Sequence, residues 1–286
     1  MTISEFKSIA SAQLAELNEG SEASSIISLL LQARLGVPPY KILAEPDMTI
    51  SPDIEAGLQS DLSQLAEGRP LQYVLGFQEF FGHRFKVAEG CLIPRPETEE
   101  MVAGVVDSLE GLEPDGEDSF NVLDMCTGSG CIAWSIAAAF PEAQVFACDN
   151  SDAALCIACR QRIKVHGAKP VFFQCDVLQA PPAGLPKFDL IISNPPYIAE
   201  SERSQMRCNV LDYEPAEALF VPDEDPLLFY RAIKDWGDAL LAPRGAIWCE
   251  INERFGPATA SVFGPETEVL QDINGKDRFI HYRKSI

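Results

Sequence analysis

Val122-Leu123-Asp124-Met125-Cys126-Thr127-Gly128-Ser129-Gly130-Cys131-Ile132-Ala133 runs from an apolar strand through a glycine turn into a helix. Glycines let the backbone approach a ligand closely, and a helix N-terminus favours a negative group. The alternation continues on both sides. Strand Asn121 to Met125 leads to helix Gly130 to Phe140, and strand Gln144 to Cys148 leads to helix Asp152 to His166. Strands Val171 to Gln174 and Phe188 to Ser193 follow, then helix Pro226 to Leu241 and strand Ala246 to Glu250. Strands near Thr267 to Leu270 and Phe279 to Tyr282 close the chain. Such alternation predicts an α/β fold, a parallel sheet with helices on both faces. Ligands of these sheets bind beyond the carboxyl ends of the strands.

The residues after each strand therefore carry the functional reading. Gly128-Ser129-Gly130-Cys131-Ile132-Ala133 satisfies the dinucleotide pattern GxGxxG/A, and Asp149 lies 19 residues past Gly130. A carboxylate at Asp149 suits two ribose hydroxyls of either a dinucleotide or another nucleoside cofactor; helix capping is its structural alternative. Asp176, after the next strand, is placed to receive an adenine amino group, with Val177 against the ring; a plain loop aspartate is the alternative.

Ile191-Ile192-Ser193-Asn194-Pro195-Pro196-Tyr197 separates these options. Two prolines end the strand and donate no N–H, so the turn presents carbonyls only. It suits an NH2 group held by the Asn194 side-chain oxygen and the Pro195 carbonyl. An amide nitrogen is a poor nucleophile, and fixed acceptors on both N–H bonds orient it for in-line attack on a sulfonium methyl. Tyr197 is placed to stack on the flat substrate group. The catalytic set is thus Asn194, Pro195, Pro196 and Tyr197. The cofactor set is Cys126, Thr127, Gly128, Ser129, Gly130, Asp149, Asp176, Val177 and Asn194. S-adenosylmethionine is the expected cofactor, with no metal. A hydride-transfer enzyme has no use for an NH2-accepting turn at this place.

With both motifs placed, the chain resembles the N5-glutamine methyltransferases of peptide chain release factors, the PrmC/HemK family. Arg69-Pro70-Leu71-Gln72-Tyr73-Val74-Leu75-Gly76, Leu92-Ile93-Pro94-Arg95-Pro96-Glu97-Thr98-Glu99, Tyr213-Glu214-Pro215 and Asp272-Ile273-Asn274-Gly275-Lys276-Asp277-Arg278 carry the resemblance. It implies a Rossmann-like S-adenosylmethionine-dependent methyltransferase domain with a small N-terminal helical domain. It also implies class I release factors as the protein partner, methylated on the glutamine of their Gly-Gly-Gln motif. Cys126 to Gly130, Asp149 and Val177 would line the cofactor site, and Asn194 would touch cofactor and substrate. The chain departs from the family at Cys126, where Gly is usual. A Cβ there predicts a turn in an ordinary L-residue conformation. The stretch between Phe255 and Thr267 is short for the family's final helix.

The division expected is a helical bundle over 1–72 that docks the substrate, a hairpin-bearing linker over 73–92 and a catalytic domain over 93–286. In the bundle Phe6, Ile9, Leu14 and Leu17 recur at helical spacing, as do Ile54, Leu58, Leu62 and Leu65 between Pro52 and Ala66. A second helix is read over Ser25 to Leu35. Strands are read at Tyr73 to Phe77 and Phe80 to Val87, and a helix from Glu97 to Leu109. The acidic stretch Glu110 to Asp118 reads as a solvated loop, and Glu214 as a loop-ordering carboxylate. Hydrophobic residues make up 47% of the 286, enough for a core. With 43 acidic against 22 basic residues the net charge is -21, which disfavours nucleic acid, so no direct DNA binding is expected. Methylation of an exocyclic amine of a nucleic-acid base or of another protein glutamine, or a scaffold without chemistry, are the competing functions. The nine cysteines sit mostly in apolar runs, as reduced thiols of a cytoplasmic protein do, and the Cys156/Cys159 pair has no partner pair at zinc-site spacing. No membrane association and a monomer are expected.

Overall fold

The computed structural model describes residues 1–15, 20–109 and 120–284. Leu17 and the acidic stretch Glu110 to Asp118 lie outside them. The chain forms two compact units, Met1–Phe77 with Arg207–Tyr213, and Gln78–Met206 with Glu214–Ile286.

The first unit begins with helices α1 (Ile3–Leu14), α2 (Gly20–Leu35), α3 (Pro39–Ala44), α4 (Pro52–Ala66) and α5 (Leu71–Leu75). Thr2 and Glu5 cap α1 reciprocally: Thr2 Oγ1 accepts from the Glu5 N–H at 3.2 Å, and Glu5 Oε2 accepts from the Thr2 N–H at 2.7 Å. The buried face of α1 is Ile3, Phe6, Ala10 and Leu14, so Ile9 stands one position off it and is exposed. On α4 the buried stripe Leu58, Leu62 and Leu65 includes Asp61, whose carboxylate takes two N–H groups of Arg34 at 2.6 and 2.8 Å. That bidentate pairing is what makes a buried carboxylate tolerable.

Tyr73 to Leu75 is helical, not a strand. Pro70 opens the one-turn helix α5, which buries Leu71 and Tyr73. Aromatic and branched residues favour a strand only where a pleated surface exists to receive them, and here none does. The hairpin starts later, as β1 (Phe77–Phe80) and β2 (His83–Lys86), joined through Phe81 and Gly82 at positive φ.

Helix α6 (Pro96–Leu109) leads into the sheet of the second unit: β3 (Phe120–Met125), α7 (Cys131–Ala139), β4 (Ala143–Asp149), α8 (Asp152–Ala158), β5 (Val171–Gln174) and β6 (Phe188–Ser193). A short excursion follows, with β7 (Ile198–Ala199), α9 (Cys208–Tyr213, part of the first unit) and β8 (Phe220–Val221). Then come α10 (Leu228–Leu240), β9 (Leu241–Glu250), α11 (Gly256–Phe263), β10 (Thr267–Gln271) and β11 (Asp277–Arg283). Strand order is β10-β11-β9-β6-β3-β4-β5. The strands from β9 to β5 are mutually parallel, whereas β11 runs antiparallel to both β9 and β10, so the sheet is mixed at that edge. Alternate residues of each central strand feed opposite cores. Val122 and Ile192 pack with Met101, Val105 and Ile136, while Leu123 and Ile191 pack with Tyr230, Ile233 and Trp236.

Helix α8 ends at Ala158, well short of His166. Gln161 explains the stop. Its amide is buried and used three ways: Oε1 accepts from the Lys86 N–H at 2.8 Å, and Nε2 donates to the carbonyls of Lys86 at 2.9 Å and Ser129 at 3.0 Å. Satisfying those buried backbone groups outweighs one more helical turn. The stretch between Phe255 and Thr267 does contain a helix, α11, closed at Gly264.

Candidate active site

The sheet reverses its strand order between β3 and β6, the position where such sheets open a crevice. Met125 pairs with Ser193 at the ends of these strands, and the Ser193 hydroxyl donates to the Met125 carbonyl at 2.7 Å. The glycine turn and the Asn-Pro-Pro-Tyr turn therefore leave the sheet side by side. A cavity of about 260 Å³ lies over them.

The glycine turn is held from within. Asp124 is fully buried, and its Oδ2 accepts from the Thr127 hydroxyl at 2.5 Å and the Ala133 N–H at 3.0 Å. Burial pushes its carboxyl up to about 7, against the pull of these two donors. Gly130 sits at φ +78, and a Cβ there would meet Ala158 Cβ and Trp134 Cδ1 at 3.1 Å. Gly128, at φ +56, has open space, its nearest neighbour being Cys91 Sγ at 4.0 Å. Gly128 and Cys126, Thr127 and Ser129 all line the cavity; Gly130 does not. Gly130 lets the helix pack, and Gly128 leaves room.

Cys126 does not use an ordinary L-residue conformation: its φ is +59. The turn keeps the geometry a glycine would allow, and the side chain bears the strain, about 1–2 kcal/mol. We expect Cys126→Gly to change stability by less than about 1 kcal/mol, because lost strain offsets the added unfolded-state entropy. Cys126→Val, branched at Cβ, is expected to destabilise by about 1–3 kcal/mol. Chemical denaturation of the three proteins checks the order.

Asp149, at the end of β4, faces the same cavity. Its Oδ2 accepts from the Gly128 N–H at 2.8 Å and its Oδ1 from the Ser151 N–H at 2.9 Å. Capping of α8 falls instead to Ser151, whose hydroxyl accepts from the Ala154 N–H at 3.3 Å. Each Asp149 oxygen retains acceptor capacity, and burial raises the carboxyl's pKa. Asp176 and Val177 also line the cavity. Asp176 Oδ1 accepts from the Leu178 N–H at 2.9 Å, a local turn that fixes the carboxylate beside the opening.

Of the Asn-Pro-Pro-Tyr turn, Asn194 and Pro196 line the cavity, and Pro195 and Tyr197 do not. Asn194 Nδ2 donates to Thr98 Oγ1 at 2.9 Å. Thr98 Oγ1 donates to Glu250 Oε2 at 2.6 Å, and Tyr197 Oη donates to Glu250 Oε1 at 2.7 Å. Asn252 Nδ2 donates to the Tyr197 carbonyl at 3.2 Å. Thr98, Glu250 and Asn252 carry no local sequence signal for this task; a Thr in the first turn of a helix simply looks like a helix start. Glu214 is buried and orders a loop: it accepts from the Ile93 N–H at 3.0 Å and from Arg95 Nη2 at 2.5 Å, which holds Pro94 and Arg95 at the cavity wall. Phe229, at the start of α10, adds an aromatic wall that sequence reading did not single out.

Among the described residues, no group of three or more His, Cys, Asp or Glu is arranged to hold a metal ion. The lining cysteines are poor nucleophiles, since burial pushes Cys131 up to about 12 and Cys126 well above its ordinary value.

Known proteins match this arrangement. The Methyltransferase small domain family matches residues 109–216, and the PrmC N-terminal domain family matches residues 8–76. A release factor glutamine methyltransferase of Bacteroides thetaiotaomicron is 39% identical over 271 residues, covering 93% of this chain and 95% of the relative. One of Bacillus subtilis is 35% identical over 270 residues, covering 92% of each. A crystal structure of a methyltransferase from Pyrococcus furiosus shares the fold, with TM-score 0.50 at 13% identity over 82% of this chain and 99% of that one. Strand order, glycine turn, Asn-Pro-Pro-Tyr turn and full-length similarity converge: this chain belongs to the release factor glutamine methyltransferase family and is a methyltransferase enzyme.

Proposed function

We propose that this enzyme methylates the side-chain amide nitrogen of the glutamine in the Gly-Gly-Gln motif of class I peptide chain release factors, with S-adenosylmethionine as donor. One observation carries the reading. Asn194 stands at the cavity with its Nδ2 tied to Thr98, which leaves its Oδ1 to accept from a substrate NH2. The cavity suits the donor: Asp149 would take ribose hydroxyls, Asp176 and Val177 the adenine, and the Cys126 to Gly130 turn the amino-acid end. The room left by the missing Cβ of Gly128 supports that fit. S-adenosylmethionine supplies a methyl on a sulfonium sulfur.

The protein's part is orientation. Asn194 Oδ1 would accept one substrate N–H, and so orient the nitrogen's lone pair toward the methyl. The new N–C bond forms as the S–C bond breaks, and one N–H proton leaves to water. Growing positive charge on nitrogen strengthens that hydrogen bond in the transition state. Under this reading residues 1–72 dock the release factor, 73–92 link and 93–286 catalyse, in a cytoplasmic monomer.

The test is transfer of labelled methyl from S-adenosylmethionine to purified release factor, followed by peptide mass mapping. Label on the Gly-Gly-Gln glutamine is the expected result. Label on another residue, or on RNA or DNA instead of the factor, overturns the reading.

A further inference from the structure

We propose that Glu250 is a positioning residue that, through Thr98, sets which end of the Asn194 carboxamide faces the substrate. The inference rests on the reading of Asn194 as the acceptor of a substrate NH2. A carboxamide is nearly symmetric in shape but not in chemistry: one end accepts, the other donates. Turned the wrong way, Asn194 would present N–H groups to an NH2 and repel it. Something must select the orientation.

The selection follows from counting hydrogens. Glu250 ends β9 at 1% exposure, and each of its oxygens meets one hydroxyl, Thr98 at 2.6 Å and Tyr197 at 2.7 Å. A carboxylate only accepts, so both hydroxyls donate to it. These lengths suit charge-assisted O–H···O bonds. The single hydrogen of Thr98 is then committed to Glu250, and toward Asn194 it offers lone pairs alone. Only the Nδ2 end can meet it, at 2.9 Å, and Oδ1 is left on the opposite side. Burial pushes the Glu250 carboxyl up and Glu97 opposes its charge, while the two hydroxyls and Arg278 favour it. The partners come from three separate places: Thr98 on α6, Asn194 and Tyr197 after β6, and Arg278 on β11.

Glu250→Gln keeps the shape and breaks the count. The Gln amide donates to one of the two hydroxyls. Where that is Thr98, its hydrogen is released toward Asn194, and the Asn194 amide turns over. We expect kcat to fall about 10- to 100-fold, a part of what losing a transition-state hydrogen-bond partner does. The S-adenosylmethionine Kd, measured by calorimetry, should stay within about twofold, since Glu250 does not line the cavity. Thr98→Val should fall similarly, and Thr98→Ser, which keeps the hydroxyl, should recover most of the loss. The deciding measurement is a double-mutant cycle with Asn194→Ala. If Glu250 acts through Asn194, Glu250→Gln costs nearly nothing further in kcat once Asn194 is gone. An equal kcat loss in both backgrounds, or no loss from either Glu250→Gln or Thr98→Val, overturns the inference. The proposed function fails separately, if labelled methyl appears on another residue or on nucleic acid.

Discussion

Asn194→Ala should lower methyl transfer by about 10²- to 10³-fold, in kcat more than in KM. The variant loses the Asn194 Oδ1 acceptor for the substrate NH2. That interaction tightens as the nitrogen gains charge, so its loss falls on the transition state. The fold should survive. Asn194 is half-buried, its side chain donates to the Thr98 hydroxyl, and that hydroxyl keeps Glu250. Single-turnover rates with release factor as substrate check the first expectation, and thermal unfolding checks the second. A drop in KM-dependent rate alone, with kcat intact, would mean that Asn194 binds substrate without assisting transfer.

Gly130→Ala should destabilise the fold strongly. The residue is in the left-handed region, and its new Cβ would meet Ala158 Cβ, Trp134 Cδ1 and Phe172 Cε1 at 3.1, 3.1 and 3.3 Å. Each of the three must shift by a few tenths of an ångström. The Trp134 indole is pinned by its N–H donation to the Ala158 carbonyl at 2.9 Å. Backbone strain of about 1–2 kcal/mol adds to overpacking of about 1–3 kcal/mol, so a loss of roughly 2–5 kcal/mol is expected. Gly128→Ala is the contrast: strain without the clash, so a smaller stability loss, but a methyl group standing at the cavity. It should weaken S-adenosylmethionine binding more than it weakens the fold. Denaturation curves and calorimetric Kd values on both variants separate the two roles. Equal stability losses would contradict the division of labour between the glycines.

Gly128 and Asn194 stand at the cavity as the sequence suggests because the motifs that carry them are local, whereas Gly130, expected in the cofactor set, faces Ala158, Trp134 and Phe172 instead. Strand, turn and helix follow one another within a dozen residues, and buried parallel strands such as Leu190 to Ile192 announce themselves as unbroken apolar runs. What escaped depends on partners far away in the chain. Thr98 meets Glu250 across 152 positions, so neither residue's neighbours reveal the bond. The early end of α8 depends on Gln161 reaching the hairpin, 75 positions away. Tyr73 to Leu75 looked like a strand for want of knowing that no sheet would be there to accept it. Cys126 was misread for a different reason: its Cβ was weighed against local propensity alone. Asp124, Thr127 and Ala133 hold the turn so firmly that one residue's preference is overridden.

The excursion after β7 matters to anyone who would cut this protein apart. The chain leaves the second unit at Met206, contributes Arg207–Tyr213 to the first, and returns at Glu214. Within the first unit that borrowed helix is fastened by Arg207 to Glu22 and by the Tyr213 hydroxyl to the Glu67 carbonyl at 3.2 Å. The linear sequence boundary is thus not a thermodynamic one. A fragment ending at residue 77 would lack a piece of its own structure. A fragment starting there would carry seven orphaned residues directly ahead of Glu214, the carboxylate that shapes the cavity wall. The first unit holds a hostage from the later part of the chain, and separate expression of either unit is a test of a damaged object.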